Sequence, residues 1–180
     1  MRIIAGKYKR TPLLTIDSLS TRPTKDMVKE ALFSSIYIDE ETCFLDLFSG
    51  SGAIGIEAIS RGCKKTVFND LNKDACKIIK LNLSKINETS DIYNLDYVAL
   101  LNKLHEQFDY VYIDPPYAFN EYENIFKLLV ENNLLKENAR IIVEVKKDVV
   151  LKDRIEDYLL YKEKKYGIAK LLYYRKENHD

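Results

Sequence analysis

The stretch Cys43-Phe-Leu-Asp-Leu-Phe-Ser-Gly-Ser-Gly-Ala-Ile-Gly55 decides the fold. Its first six residues form a short apolar run that is typical of a buried strand. Three of the six glycines of the protein follow, and a helical pattern then continues to Arg61. A strand, a glycine turn and a helix in this order predict the first unit of an α/β nucleotide-binding fold.

Outward from this stretch, apolar runs and amphipathic segments alternate with short links between them. The sequence predicts strands at 43–48, 65–70, 91–95, 109–113 and 139–145, and helices at 53–61, 73–86, 97–106 and 121–132. Such alternation gives right-handed crossovers and a parallel sheet with helices on both faces. The last two β-rich runs, 158–166 and 168–175, are separated only by Gly167, which predicts an antiparallel hairpin. We therefore expect an α/β fold with a Rossmann-like sheet of seven strands, mostly parallel, with an antiparallel C-terminal hairpin.

The charges are distributed unevenly, although the net charge of the 180 residues is zero. Residues 1–30 carry a net charge of +4, residues 31–145 carry −7 and residues 146–180 carry +3. This distribution excludes a nucleic-acid-binding protein whose whole surface is basic. A hydrophobic content of 46% excludes a disordered chain. Short apolar runs around a Lys-Tyr-Lys-Arg segment predict a basic β arm over residues 1–22, followed by one globular domain over residues 23–180.

The glycine turn has the G-x-G-x-x-G spacing of a dinucleotide site, with Asp70 twenty residues after Gly50. However, Asp46 lies four residues before Gly50, where its carboxylate would repel a pyrophosphate at the helix N-terminus. A carboxylate there suits a cationic ligand such as S-adenosylmethionine, which carries an ammonium and a sulfonium group. Asp70 then accepts from the ribose hydroxyls, and Asp96 accepts from the adenine amino group. The alternatives to S-adenosylmethionine are a nicotinamide dinucleotide and a turn that binds no ligand.

The fourth strand ends in Asp114-Pro115-Pro116-Tyr117. The prolines fix an extended backbone without N–H groups, so the Asp114 carboxylate and the Pro115 carbonyl can together hold the hydrogens of an exocyclic amine. That contact aims the nitrogen lone pair at a sulfonium methyl group, and orientation of this kind supplies most of the catalysis. Tyr117 can stack on a flipped-out base. A rigid turn without a catalytic role is the alternative.

These motifs resemble those of the amino-group N-methyltransferases of the Rossmann-like class I type, which share the pattern (D/N)-P-P-(Y/F/W). Over nearly its whole length the chain resembles the RsmD-type family, which methylates the exocyclic N2 of a guanine in bacterial 16S ribosomal RNA. The resemblance includes Met1–Lys7, the Arg22-Pro-Thr24 segment with residues 28–33, the glycine turn and the Asp114–Tyr117 motif. Lys29 replaces an Arg that is usual in the family, Ser49 replaces a frequent Ala, and Asp70 replaces a more frequent Glu.

The resemblance implies S-adenosylmethionine as the cofactor and 16S ribosomal RNA, or the small ribosomal subunit, as the substrate. The residues expected to bind the cofactor are Thr24, Asp46, Phe48, Ser49, Gly50, Gly52, Asp70, Leu71 and Asp96. The residues expected to be catalytic are Asp114, Pro115, Pro116 and Tyr117. The residues of the arm expected to contact RNA are Lys7, Tyr8, Lys9, Arg10 and Arg22. An ordinary solvated hairpin is the alternative for the arm.

Several further expectations follow from the same residues. Adenine or cytosine in DNA and glutamine in a release factor are alternative methyl acceptors, although the 180 residues leave no room for a separate target-recognition domain. A nicotinamide-dependent oxidoreductase is the alternative from another class. We expect no required metal, no membrane segment, no stable protein partner, a monomer and a cytoplasmic location.

Overall fold

A computed structural model describes residues 1–16 and 23–178 of the chain, with the backbone alone for Pro23 and Thr24. The helices are α1 (Pro23–Ser35), α2 (Ala53–Ser60), α3 (Lys73–Lys85), α4 (Tyr97–Lys103) and α5 (Tyr122–Glu131). The strands are β1 (Cys43–Asp46), β2 (Lys65–Asn69), β3 (Asp91–Tyr93), β4 (Phe108–Ile113), β5 (Leu135–Lys146), β6 (Arg154–Ile155), β7 (Tyr158–Tyr166) and β8 (Ala169–Lys176). None of the helices within the described ranges is long and apolar enough to cross a membrane.

The described strands form one mixed sheet in the order β3-β2-β1-β4-β5-β8-β7-β6. Strands β1 to β5 pair in parallel, and β8 pairs antiparallel to both β5 and β7. This confirms the predicted α/β fold with a parallel core and an antiparallel C-terminal hairpin. The seven predicted strands are all present, and the two-residue strand β6 adds an eighth at the edge. Two residues are too few to show an alternating pattern, which is why the sequence did not indicate β6.

The sheet is covered on both faces, as its apolar strands require. On one face, α4 and α5 pack against β1, β4, β5 and β8 through residues such as Leu101, Phe126 and Tyr174. On the other face, α1 packs through Leu32 and Phe33. Helices α2 and α3 cover the same side nearer to β2 and share a cluster there with the N-terminal arm.

The N-terminal arm has only a short stretch of β pairing. The N–H groups of Ile3 and Leu13 donate to the carbonyls of Thr11 and Met1, at 2.9 and 2.8 Å. Its only isolated bridge among the described residues joins Arg2 to Pro12, and no longer ladder forms there. The N–H groups of Ile4 and Ala5 instead donate to the buried carboxylate of Glu57 in α2, at 2.8 and 3.0 Å. The arm is therefore fastened to the domain by a side chain that local sequence patterns cannot indicate.

Candidate active site

The carboxyl ends of the parallel strands border a cleft of about 630 Å³. This is the edge at which open α/β sheets bind their ligands, and the volume lies within the usual range of roughly 300–1,000 Å³ for such sites. Four carboxylates predicted from the sequence line the cleft together: Asp46, Asp70, Asp96 and Asp114. The strand order thus brings together residues that are up to 68 positions apart in the chain.

The glycine turn forms the floor of the cleft and the start of α2. Gly52 is the N-cap residue of α2 with a φ of 82°, in the left-handed region that a side chain disfavours. The Gly50 N–H donates to Asp70 Oδ2 at 2.8 Å, which ties the turn to the end of β2. Gly55 allows α2 to lie against the sheet, because a Cβ there would stand 2.4 Å from Phe68 Cε1. Each glycine of the motif therefore has a separate geometric role.

Asp46 is fully buried at the end of β1. Its Oδ2 accepts a hydrogen bond from the Gly55 N–H at 3.1 Å. Burial raises the pKa of Asp46 to about 7, and the nearby Asp70 adds to the increase. The carboxylate is thus costly to ionise alone, and a cation placed beside it would offset that cost.

Two other predicted cofactor carboxylates are held by backbone groups. Asp70 accepts from the Gly50 N–H and, through Oδ1, from the Asn72 N–H at 2.8 Å. Asp96 is exposed and caps α4, accepting from the Ala99 N–H at 3.0 Å. These contacts fix both side chains at the cleft, and each carboxylate keeps further lone pairs for a ligand.

The remaining cofactor predictions have different positions. Phe48, Ser49 and Leu71 line the cleft, and Leu71 is 72% exposed. The Ser49 hydroxyl donates to the Asp46 carbonyl at 2.7 Å and accepts from the Asn69 N–H at 3.0 Å, so it links β1 to β2. The Thr24 side chain lies outside the described residues.

The Asp114–Tyr117 motif follows β4, which pairs with β1. Asp114, Pro115 and Pro116 line the cleft, whereas the Tyr117 ring is 83% exposed. The Lys146 ammonium lies 3.6 Å from the centroid of the Tyr117 ring. The motif therefore combines a carboxyl group inside the cleft with an aromatic ring at its mouth.

The sequence patterns did not indicate three side chains that lie near Asp114: Glu144, Tyr112 and Lys25. Glu144 of β5 lies within hydrogen-bonding range of the Asp114 carboxyl group, and the Tyr112 hydroxyl donates to Glu144 Oε2. Burial and the proximity of Glu144 hold the pKa of Asp114 well above its usual range, although the Lys25 ammonium lowers it in part. An acidic residue inside the apolar run Ile-Ile-Val-Glu-Val is the signal that points to Glu144.

An aromatic wall next to the motif was also missed. Phe119 makes edge contacts with Phe48, Tyr97 and Tyr122, with ring centroids 5.1 to 5.5 Å apart. Phe119 and Phe48 line the cleft. The wall gives the cleft an apolar surface beside its carboxylates.

The predicted RNA-binding residues that the structure describes do not line the cleft. The Lys7 N–H donates to the Ser60 carbonyl at 2.7 Å, and the Tyr8 hydroxyl donates to Glu88. Ser60 is the last residue of α2, so Lys7, Tyr8, Lys9 and Arg10 lie at the end of this helix away from the glycine turn, about 12 Å along it. Arg22 lies outside the described residues.

Comparison with known proteins decides the family. The model of the family described as conserved hypothetical protein 95 matches residues 1–175. The chain belongs to this family. The protein Ribosomal RNA small subunit methyltransferase D of Haemophilus influenzae is 41% identical over 97% of this chain and 93% of its own length. The protein of the same name from Escherichia coli K12 is 31% identical over 97% of this chain and 90% of its own length.

Solved structures agree with these relatives. A candidate methylase of Haemophilus influenzae superposes with a TM-score of 0.81 at 37% identity, covering 99% of both chains. A more distant methyltransferase, SMU.776, was solved in complex with SAH and superposes with a TM-score of 0.70 over 93% of this chain and 52% of its own. At 16% identity, that second likeness shows the fold alone. The predictions of an RsmD-type family and of a methyltransferase are confirmed by the relatives of this family.

Proposed function

We propose that the protein transfers a methyl group from S-adenosylmethionine to the exocyclic N2 amine of a guanine in 16S ribosomal RNA. The observation that carries the proposal is the position of the Asp114 motif, which faces the carboxylate-lined cleft from the next strand of the sheet. The names of the family relatives support ribosomal RNA of the small subunit as the substrate. The choice of guanine N2 is drawn from the family resemblance of the motifs.

The cleft fits S-adenosylmethionine in charge and in shape. When bound, this cofactor supplies an electrophilic methyl group on a sulfonium. Asp46 provides a buried carboxylate for its ammonium group, while Asp70 and Asp96 provide acceptors for its ribose and adenine groups. Gly50 leaves open space beside the turn, since a Cβ there would meet no atom within 4 Å. Phe48 and Leu71 add apolar surface, and Thr24 precedes the cleft-lining Lys25 in α1.

The chain assists methyl transfer by orienting the amine. A guanine amine is a weak nucleophile because its lone pair is delocalised into the ring. Asp114 and the Pro115 carbonyl accept its two hydrogens, which favours a pyramidal nitrogen and directs the lone pair into the cleft. Pro116 keeps the backbone extended, so that these acceptors stay in place.

The target base must leave its stack to reach Asp114. Tyr117 lies at the mouth with an exposed ring and provides a surface on which the flipped base can stack, which is worth roughly 1–3 kcal/mol. Lys146 backs this ring and places a positive charge near the phosphates of the flipped nucleotide.

Further RNA contacts belong to the arm in this proposal. Lys7, Lys9 and Arg10 bind phosphates on a part of the RNA away from the target base, together with Arg22, while Tyr8 supports the arm through its contact with Glu88. The protein acts as a monomer in the cytoplasm on the ribosomal RNA or the assembled small subunit. The arm and the catalytic motif thus contact separate regions of one large substrate.

Methyl-transfer assays on several substrates test the proposal. The protein and labelled S-adenosylmethionine are incubated with small subunits from a strain that lacks the family enzyme, and in parallel with duplex DNA and with a release factor. We expect label in 16S ribosomal RNA, recovered by mass spectrometry as N2-methylguanosine. Label only in DNA or the release factor, or a different methylated nucleoside, would contradict the proposal. Stabilisation by NAD(H) but not by S-adenosylhomocysteine would point to the oxidoreductase alternative.

A further inference from the structure

The carboxyl group of Glu144 lies beside Asp114 and has no part in the proposed function. Ile113 of β4 pairs in parallel with Val143 of β5, so the next residues, Asp114 and Glu144, stand side by side. Neighbouring strands are about 4.8 Å apart, which brings the two carboxyl groups into contact. Both line the same cleft.

We propose that Glu144 is a positioning residue for the methyl transfer, and that the proton released by the methylated amine comes to rest in the hydrogen bond between Glu144 and Asp114. The proposal rests on the proposed function, because it needs an amine as the methyl acceptor. Asp114 touches the amine, and Glu144 acts through Asp114.

The geometry of the pair requires a proton at one stage of the reaction. An ionised carboxylate can only accept hydrogen bonds, so two carboxyl groups in this contact are stable only when one of them carries a proton. Two adjacent negative charges also repel each other, which makes Asp114 a stronger base than an isolated aspartate. Burial and the neighbouring Glu144 raise the pKa of Asp114, which agrees with this arrangement.

The titratable groups around the Asp114–Glu144 pair make this pair the local proton acceptor. Lys25 faces it from α1, Asp46 from β1, Tyr112 from β4 and Tyr122 from α5, while Leu171 is the register partner of Glu144 on β8. Burial and the same carboxylates raise the pKa of Tyr112 well above its usual range, so its hydroxyl remains a donor to Glu144. That donor holds Glu144 against β4.

The step balances in atoms and electrons. The amine nitrogen forms a bond to the methyl carbon as the sulfur–carbon bond breaks, and the electrons of that bond stay on sulfur. The nitrogen then carries a positive charge and one hydrogen too many. This hydrogen passes as a proton to the ionised Asp114–Glu144 pair, which shares it and later releases it to solvent.

Two substitutions should shift the pH dependence in opposite directions. Glu144→Gln removes the neighbouring charge, so the pKa of Asp114 falls and the acidic limb of the single-turnover rate moves down by about one pH unit or more. Its maximal rate falls at least about tenfold, because Asp114 becomes a weaker base. Tyr112→Phe removes a hydrogen-bond donor to the carboxyl pair, so the acidic limb moves to higher pH. Glu137→Gln on the exposed part of β5 and Tyr174→Phe, which removes a buried hydroxyl elsewhere in the sheet, serve as controls.

A titration without RNA separates this inference from the proposed function. Carboxyl ¹³C NMR of the labelled, substrate-free protein, with the raised signal of Asp46 assigned from Asp46→Asn, should show a further raised pKa at the Asp114–Glu144 pair. The pKa of the pair should be lower in Glu144→Gln and higher in Tyr112→Phe. Thermal unfolding verifies that each variant is folded. A raised pKa of Asp114 that Glu144→Gln leaves in place, or acidic limbs that coincide in wild type and both variants, would overturn the inference whichever amine is methylated.

Discussion

Lys29 and Glu57 form an ion pair of 3.4 Å from which solvent is excluded on both sides. The pair joins α1 to α2, and Lys29 Nζ also donates to the Arg2 carbonyl at 2.6 Å. Glu57 accepts in addition from the N–H groups of the arm and from Arg61 Nε at 2.9 Å. One buried carboxylate therefore connects two helices and the N-terminal arm.

Removing this carboxylate should destabilise the protein strongly. We expect Glu57→Ala to lower the free energy of unfolding by about 3–5 kcal/mol, because it leaves the Lys29 charge buried without a partner. Urea denaturation measures the change. Glu131→Ala breaks an exposed pair with Lys127 and should cost at most about 1 kcal/mol. Equal losses in the two variants would show that the buried pair is not a principal support.

Asp46 should make the stability of the ligand-free protein depend on pH. Its pKa of about 7 lies above the ordinary value of 3.8, so its ionisation disfavours the folded state as the pH rises between these values. Relative to Asp46→Asn, wild type should lose up to about 1.4 kcal/mol of unfolding free energy per pH unit between pH 5 and 7. Urea denaturation at both pH values tests this, with Asp148→Asn as an exposed control. A difference between wild type and Asp46→Asn that does not change with pH would refute the expectation.

Asp114→Ala should separate catalysis from cofactor binding. We expect methyl transfer to fall by at least about 100-fold, because the acceptor of the amine hydrogens is lost. The Kd for S-adenosylhomocysteine, measured by calorimetry, should stay close to that of wild type, since the ammonium, ribose and adenine acceptors are other side chains. Asp148 follows the carboxyl end of β5, the strand next to β4. Asp148→Ala should leave both the rate of methyl transfer and the Kd for S-adenosylhomocysteine unchanged. A large loss of cofactor binding in Asp114→Ala would contradict the assigned role.

Charge reversal in the arm should weaken RNA binding through electrostatics. For the double variant Lys9→Glu, Arg10→Glu, the slope of log K against log salt for a 16S transcript should become shallower by about 1.4–1.8, as expected for two lost phosphate contacts. The matched double variant Lys77→Glu, Lys80→Glu on the exposed side of α3 should keep the wild-type slope. A loss of affinity that does not depend on salt would indicate misfolding of the arm instead.

The sequence predicted those parts of the site that are local in the chain. The glycine turn and the Asp114 motif each combine a strand end with the residues that follow it, so a short window contains most of the geometry. Glu144 was missed because its contact with Asp114 depends on the register of β4 and β5, which is interrupted between Phe108 and Tyr110. No local pattern encodes that register.

The N-terminal arm shows the same limit in the fold. Its short apolar runs favour β structure, but the pairing is limited to one bridge. The N–H groups of Ile4 and Ala5 donate to Glu57, more than 50 positions away. The position of Tyr8 likewise depends on Ser60 and Glu88, which belong to other elements. Long-range contacts with buried polar side chains override local propensity at these points.

Strand β8 lies inside the sheet, between β5 and β7, although it is the last of the described strands along the chain. Leu171, Leu172, Tyr173 and Tyr174 are all buried, and β5 pairs with β8 on the side away from β4. A chain released early by the ribosome, before Ala169, would leave β5 as an open apolar edge on which other chains could assemble. A premature stop codon before Ala169 would therefore produce an aggregating protein rather than a slightly shortened enzyme.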